Sequence, residues 1–225
     1  MAAPHAKWLT IVAFGLVLAT MNLTFYAGVE RLPLGVAVTI ELLGPLGLAV
    51  ALSRRAVELV WAATALVGVV LLGEGDVALD RLGLLFAALA ALGWAGYILA
   101  SRATGAVTGT LDGLALAMAV ACLAASPFGI GAGGRLLEPR VLALGSVVAL
   151  LSALVPFSLD LISLRTVPPR VFGVLMSLSP AVATLSGFVL LDERLGPVQL
   201  LGIALVVLAS AATALLPTGG RRVRT

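Results

Sequence analysis

Residues 22–55 read NLTFYAGVERLPLGVAVTIELLGPLGLAVALSRR. Two apolar segments meet in this stretch at a short turn, Glu30-Arg31-Leu32-Pro33, and the second segment contains Glu41. A carboxylate within an apolar segment of this length is costly in a membrane and usually has a function. Pro45 cannot donate a hydrogen bond to the carbonyl group of Glu41, four residues earlier. The stretch therefore combines an ionisable side chain with a freed backbone acceptor, a combination that is typical of sites in membrane transporters.

The composition indicates an integral membrane protein. Hydrophobic residues make up 61% of the chain and charged residues only 11%, and the mean hydropathy is +1.16. A water-soluble domain with so little polar surface would aggregate, so we expect the main partner to be the lipid bilayer. The net charge of +3 comes from arginines at segment ends and in the C-terminal tail, with no basic face that contains aromatic residues. We therefore expect no nucleic-acid partner.

Few residues are suited to catalysis or to metal binding. The chain has one cysteine, Cys122 in an apolar segment, and one histidine, His5 near the N-terminus. A metal site built on histidine or cysteine is therefore not expected. The sequence lacks a Cys/His pair, an H-E-x-x-H motif and a phosphate-binding glycine loop with lysine. We predict no enzymatic activity, no catalytic residues and no cofactor.

Eight apolar segments each approach the ~20 residues that a helix needs to cross a bilayer. They are residues 8–29, 34–52, 56–73, 82–101, 110–128, 140–164, 169–191 and 196–216. The breaks between them are too short to hold a soluble domain. The predicted fold class is all-α, a polytopic transmembrane helical bundle of about eight spans.

The distribution of lysine and arginine over the loops predicts the orientation. With a cytoplasmic N-terminus, nine basic residues lie inside and five outside, and an excess of basic residues marks the cytoplasmic side. The inner set is Lys7, Arg54, Arg55, Arg102, Arg165, Arg170, Arg221, Arg222 and Arg224, and the outer set is Arg31, Arg81, Arg135, Arg140 and Arg194. We expect a multi-pass protein of the cell membrane with both termini in the cytoplasm.

The two halves of the chain share a pattern. A shift of 135 residues places Gly44-Pro45 on Ser179-Pro180, each late in a span that follows a short turn with proline. The orientation above gives the two copies opposite topology, which predicts an inverted repeat of the kind that secondary transporters use. Residues 1–81 would form a partial first repeat of three spans, residues 82–216 a second repeat of five, and residues 217–225 a cytoplasmic basic tail. The two missing helices predict either an N-terminal truncation or a second subunit, such as a homodimer.

Glu41 is the first candidate site residue. It lies about seven residues, or ~10 Å, into its span, too deep for a short side chain to reach the interface. A carboxyl group can take up a proton when it is buried and release it when it is exposed. Recognition of a substrate amine and proton coupling are the functional interpretations. A neutral acid that is hydrogen-bonded to a neighbouring helix is the structural alternative.

Five other polar or aromatic residues are weaker candidates for binding. Asn22 and Tyr26 share a helix face and could line a polar cavity or join helices. Trp94 and Tyr97 also share a face and could form the wall of a pocket, although aromatic residues are weakly specific. Asp160 lies near the cytoplasmic end of its span, where Arg165 or water could satisfy it.

Two further groups of residues concern helix packing and motion. The pairs Gly44-Pro45 and Ser179-Pro180 are candidate hinges, because proline weakens a helix at the turn before it. Small residues recur at a spacing of four at Gly83, Ala87, Ala91 and Ala95. They predict a face that packs closely against another helix.

Several of these segments, in order along the chain, resemble the EamA family of the drug/metabolite transporter superfamily. They are MNLTFY at 21–26, LPLG at 32–35, AVTIELLGP at 37–45, SRR at 53–55, GWAGYILAS at 93–101, LSALVPFSLD at 151–160 and VFGVLMSLSPAVA at 171–183. The resemblance implies an inner-membrane exporter of small amino acids such as threonine and homoserine, with two inverted five-helix halves around a central cavity. It also implies export driven by the proton gradient, with a small-molecule substrate. Compared with the family, this chain starts where the third helix is expected.

The alternatives are an exporter of another metabolite or drug-like solute, and a truncated membrane component that does not transport. The sequence leaves the cargo, the direction, the coupling ion and the oligomeric state open.

Overall fold

The computed structural model describes residues 4–52, 56–74, 78–108, 110–130, 133–156, 159 and 169–215. These residues form α-helices, short 3-10 and π-helical turns and connecting loops, with no β-strand among them. The α-helices are α1 Pro4–Val29, α2 Leu34–Leu52, α3 Ala56–Gly73, α4 Arg81–Val107, α5 Thr110–Ile130, α6 Pro139–Ala149, α7 Pro169–Ser177, α8 Ser179–Leu191 and α9 Pro197–Leu215. A 3-10 helix, Gly133–Leu137, precedes α6, and a π-helical turn, Leu150–Leu154, continues it. The predicted all-α class is confirmed.

Six helical segments in the described residues are long and apolar enough to cross a membrane. They are Lys7–Val29, Leu34–Leu52, Arg81–Val107, Asp112–Gly129, Val174–Leu191 and Pro197–Leu215. Each of them overlaps one of the eight spans predicted from the sequence. The other two predicted spans correspond to shorter apolar helices, Val57–Gly73 and Pro139–Ser152.

Helix α4 continues past the polar break that the sequence suggested between residues 101 and 109. That prediction is wrong, because α4 ends only at Val107. The Ser101 hydroxyl donates to the Ile98 carbonyl (3.1 Å), and the Thr108 hydroxyl donates to the Thr104 carbonyl (2.9 Å). Polar side chains can bond to carbonyl groups of their own helix and then do not need water. The polar residues after residue 101 therefore did not mark the end of α4.

The chain divides into two compact units, and α1 and α4 each contribute to both. Unit one comprises residues 1–24 and 92–168, and unit two comprises residues 25–91 and 169–225. The core of unit one brings together Phe14, Leu18 and Met21 of α1 with Ala117 of α5. Trp94 and Tyr97 of α4 pack against this cluster. The units draw on both halves of the sequence, so they are not the two predicted repeats, which remain a prediction.

Unit two is organised around the contact between α3 and α9. Its buried cluster contains Leu32, Val36, Ala37, Ile40, Leu72, Ala87 and Ile203. A Cβ atom added at Gly68 would lie 2.6 Å from the carbonyl oxygen of Gly202, and one added at Gly202 would lie 2.6 Å from that of Gly68. Small residues thus let the two backbones approach closely, as is common between membrane helices. Gln199 adds a polar link, since its side-chain amide donates to the Leu72 carbonyl (3.4 Å).

Helices α2 and α4 approach closely in unit two at Gly44. A Cβ atom at Gly44 would collide with the backbone carbonyl of Ala91. Ala87 and Gly83, one and two turns before Ala91, are also buried, and Gly28 of α1 packs on Ala87. The predicted close-packing face of α4 is therefore confirmed for the three positions that lie in unit two.

We predict that Gly44→Ala destabilises the protein by about 1–3 kcal/mol, because the new methyl group overpacks the contact with Ala91. Gly47→Ala in the same helix is the matched control, since a Cβ at Gly47 meets no atom within 4 Å. Alanine there should raise stability by up to about 1 kcal/mol, through its better helix propensity. The apparent melting temperatures of the purified variants in detergent measure both effects. Equal melting temperatures would contradict the packing role of Gly44.

Candidate functional site

Glu41 lies within α2, half-buried, in the part of the helix that belongs to unit two. It is the only titratable residue of α2, and α8 has none. In the part of the chain that the structure describes, no hydrogen bond or ion pair reaches its carboxylate. The structural alternative for this residue, a side chain bonded to a neighbouring helix, therefore finds no support in the described residues.

A groove lies beside α2 in unit two. Its volume is about 390 Å³, and it opens to the surface. The lining residues are Leu34 and Val38 of α2, Leu175 of α7, Leu178 at the α7–α8 junction, and Ser179, Val182 and Ala183 of α8. Glu41 follows Val38 by three residues, so it lies on the same face of α2, one turn beyond the groove. A small solute in the groove would lie next to this carboxylate.

Helices α2 and α8 run antiparallel along the groove. Leu34 contacts Glu193, beyond the end of α8, whereas Gly35 contacts Thr184 within it. A Cβ atom at Gly35 would lie 2.9 Å from the Cβ of Thr184. Six residues along α2 from Gly35 lead to Glu41, and six residues back from Thr184 lead to Leu178. With an equal rise per residue in both helices, this pairing predicts that Glu41 lies near the level of Leu178.

Leu178 is the point at which the helix is interrupted. The predicted span 169–191 is divided there into α7 and α8. Pro180 cannot donate to the carbonyl of Met176, four residues before it, and its fixed φ angle suits the first turn of α8. Leu178 donates instead to the Leu175 carbonyl (3.1 Å) in a tighter turn. Leu178 keeps right-handed helical backbone angles (φ -80°, ψ -11°), so the span is locally tightened at this residue and is not unwound.

The two serines beside this break have different surroundings. Ser177 is buried, and its hydroxyl donates to the Val174 carbonyl at 2.6 Å. Ser179 lines the groove, and among the described residues its hydroxyl has no hydrogen-bond partner. Ser179 is therefore available to a solute, whereas Ser177 is occupied by its own helix.

The prolines of the two predicted hinges lie in different local structures. Helix α2 continues through Pro45 to Leu52 without an interruption, and its neighbour Gly44 is packed against Ala91. Pro180 instead stands in the first turn of a new helix. Hinge motion remains a prediction for both pairs, Gly44-Pro45 and Ser179-Pro180. For the second pair, the tighter turn at Leu178 is the structural feature that supports it.

The other candidates do not join Glu41 in this groove. Asn22 is exposed on α1, and its amide donates to the Leu18 carbonyl of the same helix (2.9 Å). Tyr26, one turn later, is 49% exposed. The ring centroids of Tyr97 and Phe14 are 5.5 Å apart, and Trp94 packs on the same core cluster of unit one. These aromatic contacts favour a packing role for Trp94 and Tyr97. Asp160 lies outside the described residues.

Glu193 is a residue of this region that the sequence did not identify. Its carboxylate accepts a hydrogen bond from the backbone N–H of Leu34 (2.9 Å), the first residue of α2. In the sequence it is one of several acidic residues in short polar breaks, and 159 positions separate the two bonded groups. The only available sequence indication was its place directly after a span.

Comparison with known proteins identifies the family of the chain. The sequence model of the EamA-like transporter family matches residues 81–215. The threonine/homoserine exporter RhtA of Escherichia coli (strain K12) is 38% identical over 211 residues, which is 92% of this chain and 71% of the relative. The protein of the same name from Salmonella typhimurium (strain SL1344) is 37% identical over the same shares. No solved structure matches the chain significantly.

We predict that cysteines introduced at Val38 and Ser179 react with a small hydrophilic thiol reagent in membranes that carry the protein. Thr39→Cys and Ser177→Cys are the matched controls, because both native side chains are fully buried. They should react at least about tenfold more slowly, since they become accessible only through local opening. All four variants need the Cys122→Ser background, because Cys122 is exposed. Equal rates at the four positions would contradict a groove that water enters.

Proposed function

Because this chain belongs to the EamA-like transporter family, we propose that it exports small amino acids, with threonine and homoserine as the first candidates. The cargo in this proposal comes from the names of relatives that align with 92% of the chain. The groove is consistent with the proposal independently of those names, since it is large enough for a small solute and its lining includes the hydroxyl group of Ser179.

The observation that carries the proposal is Glu41, which has no hydrogen-bond or ion-pair partner among the described residues and lies one helical turn after Val38, a residue of the groove. A carboxylate can bind the ammonium group that every amino acid has. It can also bind a proton in the absence of the solute. Competition between the two cations for one carboxylate would couple export of the amino acid to entry of a proton. Ser179 offers a hydroxyl group to the polar parts of the solute.

The mechanism that we propose is alternating access. Helix α2 and the α7–α8 pair would move relative to each other about the turns at Pro45 and Pro180, with Glu41 alternately exposed to each side of the membrane. Proline at these positions weakens the helix locally and lowers the cost of bending. Glu41 would exchange its proton as the solute leaves.

The proposed location is the inner membrane, with both termini in the cytoplasm. The support for this orientation is the arrangement of lysine and arginine in alternate loops. With both termini in the cytoplasm, the turn between α1 and α2 and the loop after α8 face outward. The end of the groove at which α2 begins would then be the exit for the solute.

We predict that cells expressing this chain release labelled threonine or homoserine faster than cells with an empty vector. The measurement uses cells preloaded with each amino acid, at several external pH values. A panel of competing amino acids, other metabolites and drug-like cations identifies the cargo class. Absence of efflux for every solute, from a chain shown to be in the membrane, would contradict the proposed function.

The role of Glu41 is tested by Glu41→Gln, which keeps the size of the side chain and removes its charge and proton exchange. We expect efflux to fall roughly tenfold or more, a typical magnitude for coupling between two ligands, and to lose its dependence on external pH. Glu74→Gln is the matched control, since Glu74 is exposed just after α3.

The pH profile separates the two roles of Glu41. Loss of affinity for the amino acid with an unchanged pH dependence would indicate amine recognition alone. Full efflux with the normal pH dependence in Glu41→Gln would contradict both roles.

A further inference from the structure

A carboxylate joins α2 to the loop after α8 at one end of the groove. The Oε2 atom of Glu193 accepts a hydrogen bond from the backbone N–H of Leu34 at 2.9 Å. Leu34 is the first residue of α2, and its side chain lines the groove. This bond therefore ties one wall of the groove to the end of the other wall.

The backbone around Glu193 holds the carboxylate in this position. Asp192 takes a left-handed conformation (φ 53°) directly after α8, which Asp tolerates better than most residues. The chain then turns back, and the N–H of Glu193 donates to the carbonyl of Gly187 (3.1 Å). A Cβ atom at Gly187 would collide with the Glu193 carboxylate. Glu193 therefore packs on α8, and its side chain bonds to α2.

The bond can break without unfolding either helix. The first N–H groups of an α-helix have no partner within the helix, so Leu34 gives up no internal bond when it donates to Glu193. The carboxylate also interacts favourably with the positive end of the α2 dipole. A charge-assisted bond of this kind shifts an equilibrium between two states by about tenfold.

We propose that Glu193 is a latch that restricts the groove at the end where α2 begins. With the bond formed, as in this structure, α2 and α8 are held together there, although the groove already opens to the surface. With the bond broken, they separate and the groove opens further at that end. Glu193 is a positioning residue, since it acts through α2 and need not touch the solute. The direction of exit rests on the proposed function, whereas the latch itself rests on the contacts above.

The test measures how fast Val38→Cys, in the Cys122→Ser background, reacts with a membrane-impermeant thiol reagent. We expect Glu193→Ala to increase the rate about tenfold, because it removes the acceptor of the Leu34 N–H. Glu193→Gln keeps an acceptor oxygen at the same place and should leave the rate much closer to that of the parent.

Two further variants complete the design. Gly187→Ala displaces the carboxylate without changing Glu193, so it should also increase the rate, and it should add little to Glu193→Ala. Thr64→Ala is the control, because the Thr64 hydroxyl donates to the Val60 carbonyl of its own helix, α3 (3.0 Å), in the same unit. It should leave the Val38→Cys rate unchanged.

The latch is overturned if Glu193→Ala leaves the rate unchanged, or if Thr64→Ala raises it as much as Glu193→Ala does. Efflux of labelled threonine is measured separately on the same Glu193 variants. If the labelling rate of Val38→Cys differs between the Glu193 variants as expected but the cells show no amino-acid efflux, the result supports the latch and contradicts the export proposal. If the cells show efflux but the labelling rate is the same in all Glu193 variants, the result supports export and contradicts the latch.

Discussion

The constraint on which this structure depends is that backbone polar groups in a hydrocarbon environment must bond to each other. Helices meet it, and they account for nearly all of the described residues. Hydroxyl groups meet it in the same way, since Thr39 donates to the carbonyl of Gly35 (2.6 Å) and Thr184 to that of Pro180 (2.7 Å). Proline in a spanning helix is tolerated where local adjustments satisfy the freed backbone groups. Leu178, two residues before Pro180, donates to the Leu175 carbonyl in such a tighter turn (3.1 Å).

Small residues then decide where the helices touch and where they leave space. Gly44 on Ala91 and Gly68 on Gly202 bring pairs of backbones into direct contact. Between α2 and α8 the same occurs only near Gly35 and Thr184, and larger side chains such as Leu34, Val38 and Val182 border the groove instead. Without a hydrophobic force between helices in lipid, such close contacts supply much of the packing energy.

Sequence patterns predicted the features that depend on local chemistry. Hydropathy identified the helices, the cost of a buried charge singled out Glu41, and the missing N–H of Pro180 located a weak point in its span. The end of α4 was missed, because the hydroxyl groups of Ser101 and Thr108 bond within the helix and make a polar segment compatible with it. The bond from Glu193 to Leu34 could not be predicted, since it depends on how α2 and α8 pair.

The latch and the carboxylate in the groove are connected by one rigid element. Leu34 and Glu41 are seven residues apart in α2, about 10 Å along its axis, with no proline between them. Because this segment moves as a unit, a displacement of α2 that exposes Glu41 also moves the N–H of Leu34 relative to Glu193. Binding of a proton or a solute at Glu41 can therefore shift the equilibrium between the formed and the broken bond of Glu193. The free energy of that shift cannot exceed the difference between the binding free energies of the proton or solute for the two positions of α2. Coupling between the two ends of the groove thus needs no further network of residues.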